Sequence, residues 1–151
     1  MVKENMILLG QSIIPINNQG QLSLPPNISA ALHHHAFLTQ GFDRNLLLLS
    51  PESFERIYSF IKNTSISDPL ARLLVRLFLA NAVELSIDDS GQIQIPSTLG
   101  ELVGASDKIV VVGQGDYFEI WSPMSWDEQT KSIGDYQANV NRFAKYNLAA
   151  V

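Results

Sequence analysis

A short segment that occurs twice constrains the fold of this chain more than any other feature. Ile16–Pro25 reads INNQGQLSLP, and Ile87–Pro96, 71 positions later, reads IDDSGQIQIP. After a shift of one more residue, the glycines, Ser-Pro pairs and aromatic residues that follow keep the same order in both halves. Matching halves indicate one supersecondary unit that is used twice around a shared core.

Hydrophobicity within each unit has a period of two. Val83, Leu85 and Ile87 alternate with polar residues, as do Ile93 and Ile95 after the turn. This alternation predicts two half-buried antiparallel strands, which we expect to pair with each other across the turn. Asn or Asp at the first turn position and Gly at the fourth favour a type I turn, and the following proline ends the strand.

A second hairpin is predicted in each half. Residues 37–39 and 46–49 flank a polar turn in the first half, and residues 109–112 and 117–121 flank one in the second. Each hairpin runs into a Ser-Pro pair, which is typical of a helix N-terminus. The predicted fold class is therefore α+β, with two hairpin-rich pseudo-repeats and peripheral helices.

A helix is predicted between the halves, with Asp68 as its N-cap. Its first apolar side, which we expect to pack on the core, is formed by Leu70, Leu73, Leu74, Leu77 and Phe78. A second apolar strip, Val75 and Leu79, lies beside Arg72 and Arg76. Because the core of the monomer does not bury this second strip, we expect another protein surface to cover it. Arg72, Val75, Arg76 and Leu79 are therefore candidates for a self-association interface. The two arginines are equally compatible with pairing to Glu84 or Asp88 of a neighbour and with a solvated stripe.

Four segments follow from these patterns. They are a first repeat at residues 6–62, a linking helix at 63–81, a second repeat at 82–130 and a C-terminal helical tail at 131–151. The tail has apolar residues at roughly helical spacing, namely Ile133, Tyr136, Val140 and Phe143. A docked or partly mobile helix is expected there.

The composition excludes several classes of function. Hydrophobic residues make up 46% of the chain and charged residues 17%, which argues against intrinsic disorder. Cysteine is absent, and no apolar run approaches the length of a membrane span, so we expect a soluble cytoplasmic protein. No nucleophile–base pair, phosphate loop or metal-ligand spacing is found, which predicts no enzyme activity, no small-molecule substrate, no cofactor and no metal.

Two local patterns have a structural explanation that is simpler than a functional one. His33, His34 and His35 are consecutive, so their side chains point in different directions and do not converge on one metal ion; a loop or helix end is expected. Gly113-x-Gly115 joins two strands rather than a strand and a helix, so it is not a dinucleotide-binding motif.

The chain resembles the MraZ family of the AbrB-like, swapped-hairpin class of DNA-binding proteins. Both repeats carry a turn followed by Gly-x-ϕ-x-ϕ-Pro, the segment RLFLANA at 76–82 is similar to the helix before the family's second unit, and VVGQGDYFEIWS at 111–122 is similar to its second hairpin. The resemblance implies a double-split β-barrel core woven from both halves and a ring-shaped homo-oligomer. It also implies a transcriptional regulator that binds repeated promoter elements in the nucleoid.

The family's signature, Asp-x-x-x-Arg in both halves, is altered here. The corresponding positions are Asn17 and Gln21 in the first half and Asp88 and Gln92 in the second, and the resemblance implies that these positions contact DNA. Gln offers neutral hydrogen bonds where Arg offers charge and a bidentate fork. The net charge is −5, and no Lys or Arg lies between Glu4 and Asp43 or between Leu77 and Asp107. The alternative prediction is a diverged paralogue that has lost or weakened DNA binding and serves as an oligomeric protein-binding or architectural module.

Overall fold

A computed structural model describes residues 7–104 and 106–147, so residue 6 and residues 148–151, at the outer ends of the first repeat and the tail, lie outside the described residues. The strands are β1 Gln11–Pro15, β2 Gln21–Ser23, β3 His35–Gln40, β4 Leu46–Leu49, β5 Val83–Ser86, β6 Gln92–Gln94, β7 Lys108–Gly113 and β8 Phe118–Trp121. The helices are α1 Pro26–Ala31, α2 Pro51–Lys62, α3 Pro69–Leu79, α4 Ser97–Gly100, α5 Pro123–Ile133 and α6 Tyr136–Phe143, with 3-10 turns at Glu101–Val103 and Ala144–Tyr146.

The strands form two antiparallel sheets, which gives the α+β fold class expected from the sequence. One sheet has six strands in the order β1-β7-β8-β4-β3-β5, and the other is the two-stranded ribbon β2-β6. The predicted second hairpins are confirmed, since β3 pairs with β4 and β7 pairs with β8.

The strands on either side of the repeated turn do not pair with each other, so that part of the sequence prediction is wrong. Instead, β1 pairs with β7, β5 pairs with β3, and β2 pairs with β6. Every one of these pairs joins one half of the chain to the other. The period-two pattern identifies the buried side of a strand but carries no information about its partner, which is why the alternation alone did not predict the exchange.

The main core lies between the large sheet and the ribbon and is built from both halves. Fully buried leucines of β3 and β4, including Leu38, Leu46 and Leu48, pack with Ile109, Val111 and Ile120 of the second half and with the inward ribbon residues Leu22 and Ile93. The short helices α1 and α4 add Ile28 and Leu99 to this core. The two halves of the chain therefore share one hydrophobic core.

Helices α2 and α5 begin at the predicted Ser-Pro pairs. The hydroxyl of Ser50 accepts a hydrogen bond from the backbone N–H of Ser53, and that of Ser122 accepts one from Ser125. These N-caps satisfy backbone donors that have no partner within the helix. Helix α5 runs across the predicted boundary between the second repeat and the tail. Among the described residues, no helix is both long and apolar enough to cross a membrane.

Helix α3 begins as predicted but faces the core differently. The Asp68 carboxylate caps it by accepting from the N–H of Leu70, and Phe78 is buried against Phe54 of α2 with ring centroids 5.2 Å apart. Leu70 and Leu73, which were expected to pack on the core, are 71% and 58% exposed. The prediction is wrong for these two leucines, because the helix meets the sheet through its C-terminal Phe78 rather than along its first apolar side.

Candidate nucleic-acid interface

The first signature turn is held by Asn17. The Oδ1 atom of Asn17 accepts hydrogen bonds from the backbone N–H groups of Gln19 at 3.0 Å and Gln21 at 2.9 Å. The N–H of Gly20 donates to the carbonyl of Asn17 at 3.1 Å, which is the hydrogen bond expected of a type I turn. The Asn17 amide also donates to Oε1 of Gln21 at 2.9 Å, so one end of the Gln21 side chain is already held by the protein.

The second signature turn repeats this geometry with a charged residue. Oδ1 of Asp88 accepts from the N–H groups of Ser90 at 3.0 Å and Gln92 at 2.9 Å, and from the Ser90 hydroxyl at 2.7 Å. These bonds, the Ser90 hydroxyl bond first among them, hold the pKa of the Asp88 carboxyl below its ordinary value. Asn17 and Asp88 thus shape their turns, and the glutamines remain as the signature residues with outward amides.

The two turns are locked to the opposite halves of the chain. The N–H of Ile95 donates to the carbonyl of Gly20 at 2.8 Å, and the N–H of Leu24 donates to the carbonyl of Gly91 at 2.8 Å. Both glycines have φ near +78°, and a Cβ on either one would overlap the carbonyl oxygen of the strand that it contacts. We call this pair of contacts the reciprocal clasp, and it brings the two distant signature segments onto one ribbon.

The ribbon β2–β6 has one apolar and one polar face. Leu22 and Ile93 are paired with each other and buried, whereas the residues on either side of them along each strand face outward. The outward residues are Gln21, Ser23, Gln92 and Gln94. Gln21 lies opposite Gln94, and Ser23 lies opposite Gln92. All four signature positions therefore lie on or beside a single uncharged, hydrogen-bonding surface, which we call the ribbon face.

The electrostatics of the ribbon face are unlike those of a strongly basic DNA-binding surface. The second turn carries the exposed carboxylates of Asp88 and Asp89, whereas the first turn has Asn17 and Asn18 at the same places. By register, the cation next to the first turn is Lys108, which lies opposite Pro15 at the end of β1. At the corresponding position of the other half stands His35, whose Nε2 atom is 2.6 Å from the Glu84 carboxylate.

The shape and chemistry of the ribbon face suit hydrogen bonding to base edges more than neutralisation of phosphates. The major groove of B-DNA admits a two-stranded β-ribbon, and a Gln amide pairs with the N6 and N7 atoms of adenine. Gln92 is exposed, and its side-chain amide makes no hydrogen bond to the described residues, whereas the Oε1 atom of Gln21 already accepts a hydrogen bond from Asn17. Phosphate affinity depends chiefly on Lys and Arg, which are scarce here.

Three residues of the surface were missed by the sequence reasoning. Ser23 and Gln94 share the ribbon face with the signature glutamines, and the Gln94 amide donates to the carbonyl of Gln19 at 3.0 Å. The alternation in LSL and IQI identified their side of the strand, but only the β2–β6 pairing places them together. Lys108 gave no signal, because its position depends on the pairing of β1 with β7.

The structure places the predicted self-association residues in a groove between α2 and α3. Val75, Leu79 and Arg72 are half-buried there, beside Tyr58 and the buried Ile61 of α2, whereas Arg76, which also lines the groove, is exposed. One guanidinium nitrogen of Arg72 donates to the carbonyl of Ile66 at 3.0 Å within the same chain. Part of this strip is therefore covered by the chain itself, and contact with a second copy remains an expectation.

The histidine run lies where a helix end was expected. His33 and His34 follow α1 with positive φ values of 54° and 62°, and His35 opens β3. Over residues 7–104 and 106–147, no three His, Asp or Glu side chains are grouped so that they could hold a metal ion. Trp121 is buried and lies beside the half-buried Trp126, with ring centroids 5.6 Å apart, so both pack against the sheet.

Comparison with known proteins gives matches to one family. A family model described as "MraZ protein, putative antitoxin-like" matches residues 78–144. A protein of Thermomicrobium roseum named "Transcriptional regulator MraZ" is 34% identical over 127 residues, which cover 84% of this chain and 89% of that protein. A protein of Herpetosiphon aurantiacus with the same name is 33% identical over 129 residues, covering 85% and 90%. A third, from Caldanaerobacter subterraneus, is 32% identical over 126 residues, covering 83% and 88%.

These matches extend over most of the chain and most of each relative. All three relatives are named as transcriptional regulators rather than as enzymes. This chain belongs to the MraZ family.

Proposed function

We propose that the protein is a DNA-binding transcriptional regulator that acts in the nucleoid as a ring-shaped homo-oligomer on repeated promoter elements. In this proposal the exchanged strands constitute an AbrB-like double-split barrel, built from the repeats 6–62 and 82–130. The observation that carries the proposal is the ribbon face, on which a two-stranded antiparallel ribbon presents four outward hydrogen-bonding side chains and no charge. The names of the relatives support the regulatory role.

The ribbon would enter the major groove with its polar face toward the base edges. Gln92 and Gln94, with free or partly free amides, would supply the base contacts, and Asn17 and Asp88 would hold the turns that position the ribbon. Lys108, next to the first turn, would supply a phosphate contact. Each well-formed bidentate contact discriminates against the wrong base by about 1–3 kcal/mol.

A surface with so few cations binds weakly as a single copy. Several copies in one ring raise the effective affinity when the DNA carries several repeats, because the second and later contacts are intramolecular. We propose that Arg72, Val75, Arg76 and Leu79 contribute to contacts between copies, with the arginines beside acidic groups of the neighbour. The carboxylates of Glu84 and Asp88 are exposed and are suitable partners.

Gel-shift titration against the gene's own upstream region tests the proposal. The double variant Gln92→Ala, Gln94→Ala should lower affinity about tenfold or more per engaged copy, since about 1.4 kcal/mol corresponds to a factor of ten. The matched control is Gln114→Ala, which removes an exposed glutamine from the β7–β8 hairpin, away from the ribbon. DNA with one repeat should bind more weakly than DNA with several.

Two results would contradict the proposal. Equal affinity of the ribbon variant and the Gln114→Ala control would mean that the ribbon face does not contact DNA. Absence of binding at low salt, with an intact oligomer by light scattering, would exclude DNA as the partner and would support the alternative of an oligomeric protein-binding module.

A further inference from the structure

Helix α3 exposes an unusually apolar surface. Leu70 is 71% exposed and Leu73 is 58% exposed, and with Leu74 and Leu77 they form one side of the helix at helical spacing, which we call the leucine strip. Phe42, 73% exposed, extends the same groove. Exposed contiguous apolar surface of this kind marks an interaction site.

The C-terminal helix α6 carries a second such surface. Tyr136, Val140 and Phe143 lie at positions i, i+4 and i+7 on one side, and they are 81%, 72% and 48% exposed. We call these three residues the arm strip. A helix as short as α6 is marginal in water without tertiary packing. In one chain the arm strip and the leucine strip both face solvent, so within one copy they do not cover each other.

We propose that the arm strip of one copy packs on the leucine strip of a second copy. This inference rests on the self-association in the proposed function and identifies the surfaces that would carry it. Leu70 to Leu77 and Tyr136 to Phe143 each span seven helical steps, so each strip is about 10 Å long at 1.5 Å per residue. Both repeat at intervals of three and four residues, the spacing at which two helices interdigitate.

The charges at the ends of the two strips fix the orientation. Asp68 precedes the leucine strip and Arg76 lies near its end, while Asp135 precedes the arm strip and Arg142 lies near its end. In an antiparallel arrangement each carboxylate faces a guanidinium, and in a parallel one like charges meet. All four side chains are exposed, and within residues 7–104 and 106–147 none of them makes an ion pair in its own chain.

The contact joins two different surfaces of the same molecule. Each copy offers one arm and one leucine strip, so each copy engages one neighbour through its arm and another through its strip. A head-to-tail contact of this kind closes into a ring when the rotation between copies allows it.

Two single variants and their mixture test the contact. Val140→Asp breaks the arm and Leu73→Asp breaks the strip, and both sites are exposed in the single chain, so folding should survive. The matched control is Asn141→Asp, which adds the same charge on another side of α6. Light scattering should give an oligomer for the wild type and the control, and a monomer for each single variant.

The equimolar mixture of the two variants is the decisive sample. The Leu73→Asp chain has an intact arm and the Val140→Asp chain has an intact strip, so one contact per pair is possible and the mixture should contain dimers. A charge test adds orientation: Arg142→Glu should weaken assembly at low salt, and adding Asp68→Asn, which keeps the N-cap acceptor, should restore it.

The outcomes separate this inference from the proposed function. If the wild type is oligomeric and both single variants remain oligomeric, the arm–strip contact is wrong while the ring and the DNA proposal stand. If the single variants are monomers but their mixture is monomeric as well, the proposed pairing of arm with strip is likewise overturned. A monomeric wild type refutes the ring itself, and with it this contact.

Discussion

Replacing Gly20 with alanine should disrupt the reciprocal clasp. Gly20 has φ +78°, in the left-handed region, and its carbonyl accepts the hydrogen bond from Ile95 of the other half. A methyl group at this position would overlap the Ile95 carbonyl oxygen, which is backbone and cannot rotate away. The variant Gly20→Ala therefore adds two costs, a strained backbone conformation and a forced separation of the ribbon from the turn.

The two costs have different magnitudes. The left-handed conformation costs a non-glycine residue about 1–2 kcal/mol. Separating the strands weakens the Ile95–Gly20 hydrogen bond, which contributes about 0.5–1.5 kcal/mol, and overpacking against fixed atoms costs about 1–3 kcal/mol. Together these contributions predict a loss of about 2.5–6.5 kcal/mol from the free energy of unfolding, which is a large share of the roughly 5–15 kcal/mol typical of a protein domain.

Gly115→Ala is the matched control. Gly115 has φ +87°, and no described atom lies within 4 Å of a Cβ built there, so only the conformational cost of about 1–2 kcal/mol applies. Urea denaturation of both variants at one protein concentration gives the two losses directly. Equal losses for Gly20→Ala and Gly115→Ala would refute the idea that the close approach across the clasp limits this position.

Three further predictions concern the signature turns and a buried amide. Asp88→Asn should keep the turn, because Asn17 holds the equivalent turn in the first half. Folding lowers the pKa of Asp88 below its ordinary value of 3.8, so the charged carboxylate stabilises the fold above pH 3.8, and this stabilisation is lost as the pH falls further. The variant should therefore lose less stability on acidification, and an unchanged acid denaturation curve would contradict this. Gln92→Arg should strengthen DNA binding and steepen its salt dependence by about 0.9 per added phosphate contact; an unchanged slope in gel-shift titrations at several salt concentrations would show that this position does not reach a phosphate. Asn45→Ala, at a buried amide that donates to Glu119 at 3.0 Å, should lower the free energy of unfolding by about 1–3 kcal/mol, measured by urea denaturation, and a loss near zero would mean that water replaces the bond.

The local features of the fold could be predicted from the sequence because short-range chemistry determines them. Asn17 and Asp88 hold type I turns, and Ser50, Ser122 and Asp68 cap helices, as expected from residue type and spacing. The hairpins β3–β4 and β7–β8 were predicted because each is closed by a short polar turn.

The long-range arrangement could not be predicted in the same way. Leu22 and Ile93 are buried whichever strand lies beside them, so alternation did not reveal the exchange between halves. For the same reason Gln94 was not placed beside the signature glutamines. On α3, helical spacing grouped Leu70 and Leu73 with Phe78, but only the docking of Phe78 against Phe54 determines which of them face solvent.

The exchange of strands also determines when the chain can fold during its synthesis. Gln11 pairs with Val112, and the carbonyl of Gly20 accepts a hydrogen bond from the N–H of Ile95, so both partners lie in the second half of the chain. The first half can form its β3–β4 hairpin as it leaves the ribosome, but β1 and β2 have no partners until the second half has emerged. Contacts of such long sequence separation slow folding, and the unpaired edges of β1 and β2 are open to other chains during that interval.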